Sequence, residues 1–184
     1  MPIVIRSYEP ADETSWLRCR TLTFLSTCYY DDVWARRPPS PAVQLVALDG
    51  DDAVGILDIE IDGDLATIDT VAVDPDHQGR GVASALLTRA RSELPGTVSV
   101  VDAWTREDEP ALEWYRAHGF AESEHYLHVY KTWEDTDAGW ESPSGLSAPL
   151  TAFCHASVQD EPELRGRFSR VYVCRRFSRP VTAK

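Results

Sequence analysis

Two glycines bracket an arginine at Gly79-Arg80-Gly81, between the apolar run Val71-Ala72-Val73, which stops at Asp74-Pro75, and the helical pattern VASALLTRARSEL. The chemistry suited to such a place is anion binding. A helix start offers unpaired N–H groups and a partial positive charge, and glycines let the backbone approach a phosphate closely. A second stretch, Thr27-Cys28-Tyr29-Tyr30-Asp31-Asp32, sets two tyrosines beside two carboxylates. Aromatics with acids suit an ammonium ligand. They equally suit a helix packed by its tyrosines and capped by its aspartates. His77, His118, His125, His128 and His155 show no spacing that assembles a metal site, and His125 and His128 fall on opposite faces of one strand, so no metal is expected.

The elements that must position these residues follow from periodicity and turn chemistry. Alternation marks strands at 3–8, 43–48, 53–61 and 65–73, the last three joined by Asp49-Gly50-Asp51-Asp52 and Asp62-Gly63-Asp64 as an antiparallel meander. Further strands are expected at 97–104, 124–131 and 170–177. Helices are expected at 11–25, 79–94 and 110–120, with a short one at 30–37 ended by the proline run at 37–41. Residues 134–166, rich in Gly, Ser, Pro, Asp and Glu, read as one long loop.

Three phosphate-binding loops compete for the glycines. The nucleotide-hydrolase loop needs G-x-x-x-x-G-K-[ST], and no lysine follows here. The dinucleotide fingerprint G-x-G-x-x-G matches two of its three glycines in Gly79-Arg80-Gly81-Val82-Ala83-Ser84, with Asp102 about 20 residues on, where a ribose-binding acid stands. Against it, the third small position is serine and the preceding strands are turn-linked. The third pattern, Q/R-x-x-G-x-G/A, fits Gln78-Gly79-Arg80-Gly81-Val82-Ala83 after a Val-Ala-Val-Asp-Pro strand end. This closely resembles the acetyl-CoA signature of the GNAT superfamily of N-acetyltransferases. Its second half is Asp108-x-x-Ala111-Leu112-x-Trp114-Tyr115-x-x-x-Gly119-Phe120, similar to N-x-x-A-x-x-x-Y-x-x-x-G-F, with Asp108 where asparagine is frequent.

That resemblance implies an α/β fold: a mixed, mostly antiparallel twisted sheet of about seven strands flanked by helices, with one splayed strand pair forming an acetyl-CoA cleft. It covers 3–131 in element order, with 170–177 as the final strand, and treats 1–184 as one domain. Backbone N–H groups from Gln78 through Gly79, Arg80, Gly81, Val82 and Ala83 to Ser84 would hold the pyrophosphate of coenzyme A. Arg80 either adds a cation there or is a solvated loop residue. Val71, Ala72 and Val73 would meet the pantetheine arm through main-chain groups. Asp108 would accept a bond from the coenzyme's amide or from a neighbouring N–H, near Ala111. The resemblance also places the Tyr115 hydroxyl near the sulfur, where it can donate a proton to the leaving thiolate. The alternative is a core tyrosine.

Something must receive the amine's proton, directly or through water, and the strand carboxylates that could do so could equally be plain exposed side chains. Asp69, expected on one face with Val71 and Val73, is the first choice, ahead of Asp58 and Glu60 on the preceding strand. Tyr29, Tyr30 and Asp31 are the expected acceptor contacts, together with the 134–166 loop. The implied activity is acetyl transfer from acetyl-CoA to a small-molecule or peptide primary amine by direct attack. No cysteine stands at a motif position to carry a covalent intermediate. A non-catalytic acyl-CoA-binding or sensing domain and a dinucleotide-dependent oxidoreductase remain as alternatives.

Bulk properties bound the partners. The net charge of −12 argues against nucleic acid. No apolar run approaches a membrane span of about 20 residues. Cys19, Cys28, Cys154 and Cys174 are scattered without C-x-x-C spacing and read as reduced thiols of a cytoplasmic protein. From residue 165 on there are seven basic residues and no acidic one, which suits a patch for an anionic coenzyme or a solvated last strand. Pairing of two copies through the last strands or the long loop is the expected route to a homodimer.

Overall fold

The computed structural model describes residues 2–38 and 41–181. Its elements in chain order are β1 (Val4–Ser7), α1 (Glu13–Phe24), β2 (Val43–Asp49), β3 (Asp52–Asp62), β4 (Leu65–Val73), α2 (Val82–Glu93), β5 (Val100–Thr105), α3 (Glu109–Ala117), β6 (Ala121–Lys131), β7 (Ala152–Ala156), α4 (Glu161–Arg167) and β8 (Arg170–Pro180). The strands form one eight-stranded sheet in the order β1-β2-β3-β4-β5-β8-β6-β7. Every neighbouring pair is antiparallel except β4 and β5. A parallel pair needs a crossover, and α2 supplies it.

Two expectations are corrected. The loop at 134–166 contains a strand and a helix, β7 and α4, so the sheet has eight strands and not seven. β7 is five residues long and exists by pairing with the open edge of β6, from Leu127↔Ala156 to Lys131↔Ala152. No helix forms at 30–37. Tertiary contacts override local propensity there: Arg20 donates to the Asp32 carbonyl at 2.5 Å, Trp34 stacks on Trp16 with ring centroids 5.9 Å apart, and Arg37 reaches Asp58 at 2.7 Å. Residues 25–38 therefore run as an irregular strap. Pro39 and Ser40 of the proline run lie outside the described residues.

Each face of the sheet has its own core. α2 and α3 cover one face, where Leu86, Leu87 and Leu112 pack on Leu45, Leu57, Ile59 and Ile68. α1 covers the other, where Trp16 and Cys19 pack on Val46, Ile56 and Ala72. Full burial of each large apolar side chain contributes roughly 1.5–3 kcal/mol, which fixes both helices against the strands. Gly55 makes the α2 contact close: a Cβ there would meet Val82 Cγ1 at 2.6 Å.

β4 carries the irregularity that matters most. Asp58 opposes Thr70 and Ile59 opposes Ile68, so Asp69 is an extra, unopposed residue. This bulge shifts the alternation. Ala66 and Ile68 before it, and Val71 and Val73 after it, all belong to the α2 side. Pairing of β4 with β5 runs from Leu65↔Val100 to Ile68↔Ala103 and ends there. Beyond the bulge the two strands part.

Candidate active site

The parting of β4 and β5 opens a cavity of about 680 Å³ that reaches both faces of the sheet. From the α2 side it is lined by Gly79, Gly81, Val82, Ser84, Ala111 and Tyr115, and from the α1 side by Arg20, Phe24, Trp34, Asp69 and Trp104.

The first half is made mostly of backbone. Gly81 is the N-cap of α2 at φ 77°, and no side chain caps the helix. Gly79 also has positive φ, at 71°, a conformation that glycine adopts without strain. The first intrahelical bond runs from the Ala85 N–H to the Gly81 carbonyl at 3.0 Å. Among the described residues, the N–H groups of Gly79, Arg80, Gly81, Val82, Ala83 and Ser84 have no acceptor. An array of unpaired donors at a helix start is a site for a polyanion. A Cβ at Gly79 or Gly81 would point into open space, so the bare backbone leaves room for one. Gln78 locks the loop to the strand end, its Nε2 donating to the Val73 carbonyl at 3.0 Å. Val71, Ala72 and Val73 line the cavity where β5 no longer pairs with them, so main-chain groups on that side of β4, apart from the engaged Val73 carbonyl, are open to a ligand. These residues fit a coenzyme with a pyrophosphate and an amide-bearing arm.

α3 is tied to this half. His118 Nδ1 lies 2.7 Å from the Trp114 carbonyl, so Nδ1 carries the proton; Nε2, 2.8 Å from Ser84 Oγ, then accepts the serine hydroxyl. Asp108 takes a neighbouring N–H, as one of its two expected roles: its Oδ1 accepts from the Cys28 N–H at 2.8 Å, which fastens the strap to the start of α3. Tyr115 is 5% exposed and stacks on Phe177 with centroids 5.2 Å apart. Burial pushes its phenol well above the ordinary range, so the group stays protonated. No group among the described residues hydrogen-bonds its hydroxyl, and the side chain lines the cavity.

The α1 half is made of side chains. Asp69 is exposed at the bulge, and its Oδ2 accepts from Thr70 Oγ1 at 3.0 Å. Tyr29 lines the wall; its hydroxyl accepts from the Arg106 N–H at 3.2 Å. Tyr30 and Asp31 do not line the cavity. Asp31 forms a two-armed ion pair with Arg170 at 2.5 and 2.7 Å, and the Arg170 guanidinium lies 4.5 Å from the centre of the Tyr30 ring. They staple the strap to β8, because an arginine from the far end of the chain takes the carboxylate first. Arg80 is exposed and lies outside the cavity lining.

Sequence reasoning missed Arg20, Phe24, Trp34 and Trp104. The one local signal was the four-residue spacing of Arg20 and Phe24, which sets the guanidinium over the ring at 4.5 Å. The 134–166 segment contributes nothing to the lining. The basic C-terminal segment forms ion pairs, among them Arg176 with Asp102 at 2.6 Å and Arg165 with Glu107 at 2.9 Å. Asp102 thus sits 2% exposed between Arg176 and Thr67 Oγ1, engaged inside the sheet and unable to serve a ribose. Together with the antiparallel strands, this removes the dinucleotide reading. No helix among the described residues is long and apolar enough to cross a membrane, and no group of three or more His, Cys, Asp or Glu there is arranged to hold a metal.

Comparison with known proteins agrees with this geometry. Residues 40–122 match the model of the acetyltransferase (GNAT) domain, a span that includes both motifs. No curated protein matches the chain by sequence. Among solved structures, the ribosomal-protein-S18-alanine N-acetyltransferase from Escherichia coli aligns at TM-score 0.63 and 16% identity, over 100% of this chain and 96% of that one. Arabidopsis thaliana NAA60 in complex with acetyl-CoA aligns at 0.61 and 14%, over 98% and 100%. The PaiA N-acetyltransferase of Thermoplasma acidophilum in complex with coenzyme A aligns at 0.56 and 12%, over 67% and 92%. At these identities the likeness is one of fold. The resemblance drawn from the two motifs is borne out.

Proposed function

We propose that this chain, with its GNAT acetyltransferase domain and fold, binds acetyl-CoA in the β4–β5 gap and transfers the acetyl group to a primary amine. The observation that carries the reading is the run of unpaired N–H groups from Gly79 to Ser84 at the mouth of a gap that passes through the sheet. When bound, acetyl-CoA supplies a thioester carbonyl that a neutral amine can attack, with a thiol leaving.

The chain's own residues then have distinct tasks. The loop N–H groups and the α2 dipole hold the pyrophosphate. The open side of β4 orients the pantetheine arm along Val71–Val73. The Asp69 carboxylate, on the acceptor side of the bulge, takes a proton from the ammonium directly or through water, freeing the nitrogen lone pair. The Tyr115 hydroxyl, held neutral by burial, donates its proton to the sulfur as the thiol leaves. It regains one as the product amide sheds the proton that attack left on nitrogen. No cysteine is needed as a nucleophile.

Calorimetric titration with acetyl-CoA tests this, with NADH and ATP as controls and Gly81→Trp as the variant. Saturable acetyl-CoA binding, absent for both controls and lost in the variant, supports the reading. A folded protein that does not bind acetyl-CoA refutes it. Turnover of an amine that Tyr115→Phe slows by about 100-fold or more separates the enzyme from a domain that only senses acyl-CoA.

A further inference from the structure

The α1 half of the cavity has an electrostatic layout that narrows the acceptor. Its walls carry the charged side chains of Arg20, Asp32 and Asp69, and where the strap meets α3 the cavity adds Asp108, whose Oδ1 accepts from the Cys28 N–H at 2.8 Å. Asp32 is fully engaged, one oxygen taking Arg20 Nη2 at 2.8 Å and the other Trp34 Nε1 at 2.9 Å. Arg20 is engaged as well. It is 3% exposed, donates Nη1 to the Asp32 carbonyl, and lies with its guanidinium 3.5 Å from the Trp34 ring centre and 4.5 Å from that of Phe24. Its faces are shielded, its two Nη groups point at Asp32 and its Nε is buried, so it presents no fork to a carboxylate. Asp69 is left as the cavity carboxylate, among the described residues, that is exposed and has neither an ion pair nor a backbone partner, Asp108 being held by the Cys28 N–H.

Of the hydroxyls on this side, those of Thr23 and Thr27 are engaged, while the exposed Ser26 is open. Thr23 Oγ1 lies 2.8 and 2.9 Å from the Cys19 and Val73 carbonyls, which share its one proton, and Thr27 Oγ1 donates to the Phe24 carbonyl at 2.9 Å. Beside Ser26, what remains facing the space is aromatic. Phe24 and Tyr29 pack together at 5.4 Å, and Trp104 is 36% exposed and continues outward through its edge contact with Tyr126 at 5.0 Å.

We infer that the acceptor is a single ammonium carried on a flat apolar body, of the aralkylamine kind, which rests on the acetyl-transfer reading above. One free carboxylate anchors one cationic nitrogen, and ring faces beside it stabilise the same charge. The second and third ammonium groups of a polyamine or aminosugar would find no second carboxylate free of a partner. The carboxylate of a free amino acid would meet Asp69, with no open guanidinium to receive it. An apolar ring gains from the walls what a polar body would lose by surrendering its water.

Two measurements test this, one independent of turnover. Titration of 2-phenylethylamine into the coenzyme-free protein is expected to show binding that spermidine, glycine and kanamycin lack, and that weakens about tenfold or more in Trp104→Ala and in Phe24→Ala. With acetyl-CoA present, thiol release from 2-phenylethylamine is expected to exceed that from spermidine or from a polar tripeptide with a free N-terminus by about 10- to 100-fold in kcat/KM. Preferential turnover of the polyamine, the aminosugar or the peptide overturns the inference. So does a protein that binds acetyl-CoA but neither binds nor acetylates the aralkylamine. Absence of acetyl-CoA binding would instead remove the acetyl-transfer reading, while titration of the coenzyme-free protein still reports on the aromatic pocket alone.

Discussion

The two halves of the cavity are built on opposite principles. The α2 half is built mostly of main-chain groups and glycines from one continuous stretch, Val71 to Ser84, with Ala111 and Tyr115 added from α3, and its donors are free because no side chain caps the helix. The α1 half uses side chains from α1, the strap, the β4 bulge and β5, and most of its polar atoms are already bonded to one another. The first is a generic cradle for a phosphate-bearing ligand. The second is a shaped wall whose identity rests on tertiary contacts. Damage to the wall's supports is therefore expected to cost folding, and damage to the cradle to cost coenzyme binding.

The largest effect is expected from Arg37→Ala. Arg37 pins the strap to the sheet through Asp58, with side chains only 5% and 3% exposed, and adds a bond to Gln44 at 2.6 Å. Removing one partner of such a pair leaves a buried charge uncompensated, at a cost of about 3–5 kcal/mol at pH 7. Burial already pushes the Asp58 carboxyl up to about 6, with Arg37 opposing the shift. A carboxyl whose folded pKa is raised adds stability below its unfolded value that is lost as pH rises through the folded one. The Arg37→Ala penalty should therefore shrink near pH 4, where Asp58 is protonated. Denaturant melts of both proteins at pH 4 and pH 7 check this. An equal penalty at both would mean that Arg37 acts through packing on Tyr8 and Trp16 alone.

The second effect has the opposite sign in pH. His128 lies 8% exposed behind the wall, its Nδ1 accepting from Arg106 Nε at 3.0 Å. The other ring nitrogen is then protonated and donates to the Tyr126 hydroxyl at 3.1 Å. Arg106 also donates to the Cys28 carbonyl at 2.6 Å and to the Tyr130 hydroxyl, so it ties the strap to β6. Burial first, then the nearby Arg106 charge, pull the His128 pKa down to about 4. The neutral ring is therefore favoured in the folded state. Its stabilisation is full above the unfolded value of about 6.5 and is lost as pH falls toward 4, about 3 kcal/mol across that window. His128→Gln is expected to flatten the acid limb of the melting profile. Unchanged acid sensitivity would place it elsewhere.

How far the sequence could be read divides along the same line. The cradle was legible because strand end, glycines and helix are contiguous, and its geometry is local. β4 was legible to the residue, yet its bulge was not, since a bulge is a property of the pairing with β3 and not of β4 alone. The wall was largely invisible. Thr27 to Asp32 drew attention as a cluster of aromatics and acids, but tertiary partners sorted it: Tyr29 went to the cavity, Asp32 to Arg20, and Asp31 to Arg170 across 139 residues. No local pattern announces that an arginine so distant will arrive. β7 and α4 escaped for a related reason: AFCHA becomes a strand only on the edge that β6 offers, and EPELRGR carries a glycine within a short helix.

The smallest effect belongs to the cradle's foundation. Gly55 faces the first turn of α2, and its absent Cβ leaves space that Val82 Cγ1 fills, with Leu86 Cδ1 and the Ala47 Cβ at 3.1 and 3.2 Å. Gly55→Ala would force α2 away from β3 by tenths of an ångström at the end that holds the free N–H groups. Overpacking of this kind costs about 1–3 kcal/mol. Part of that cost should appear as weakened coenzyme binding, because the donors move with the helix while the strap, anchored on the other face of the sheet, does not. Calorimetry with acetyl-CoA and with the aralkylamine on this variant separates the two. Loss confined to acetyl-CoA would show that the halves are mechanically independent. A parallel loss of both would mean that strain in α2 crosses the sheet through β3 and β4, and that the wall depends on the cradle's position.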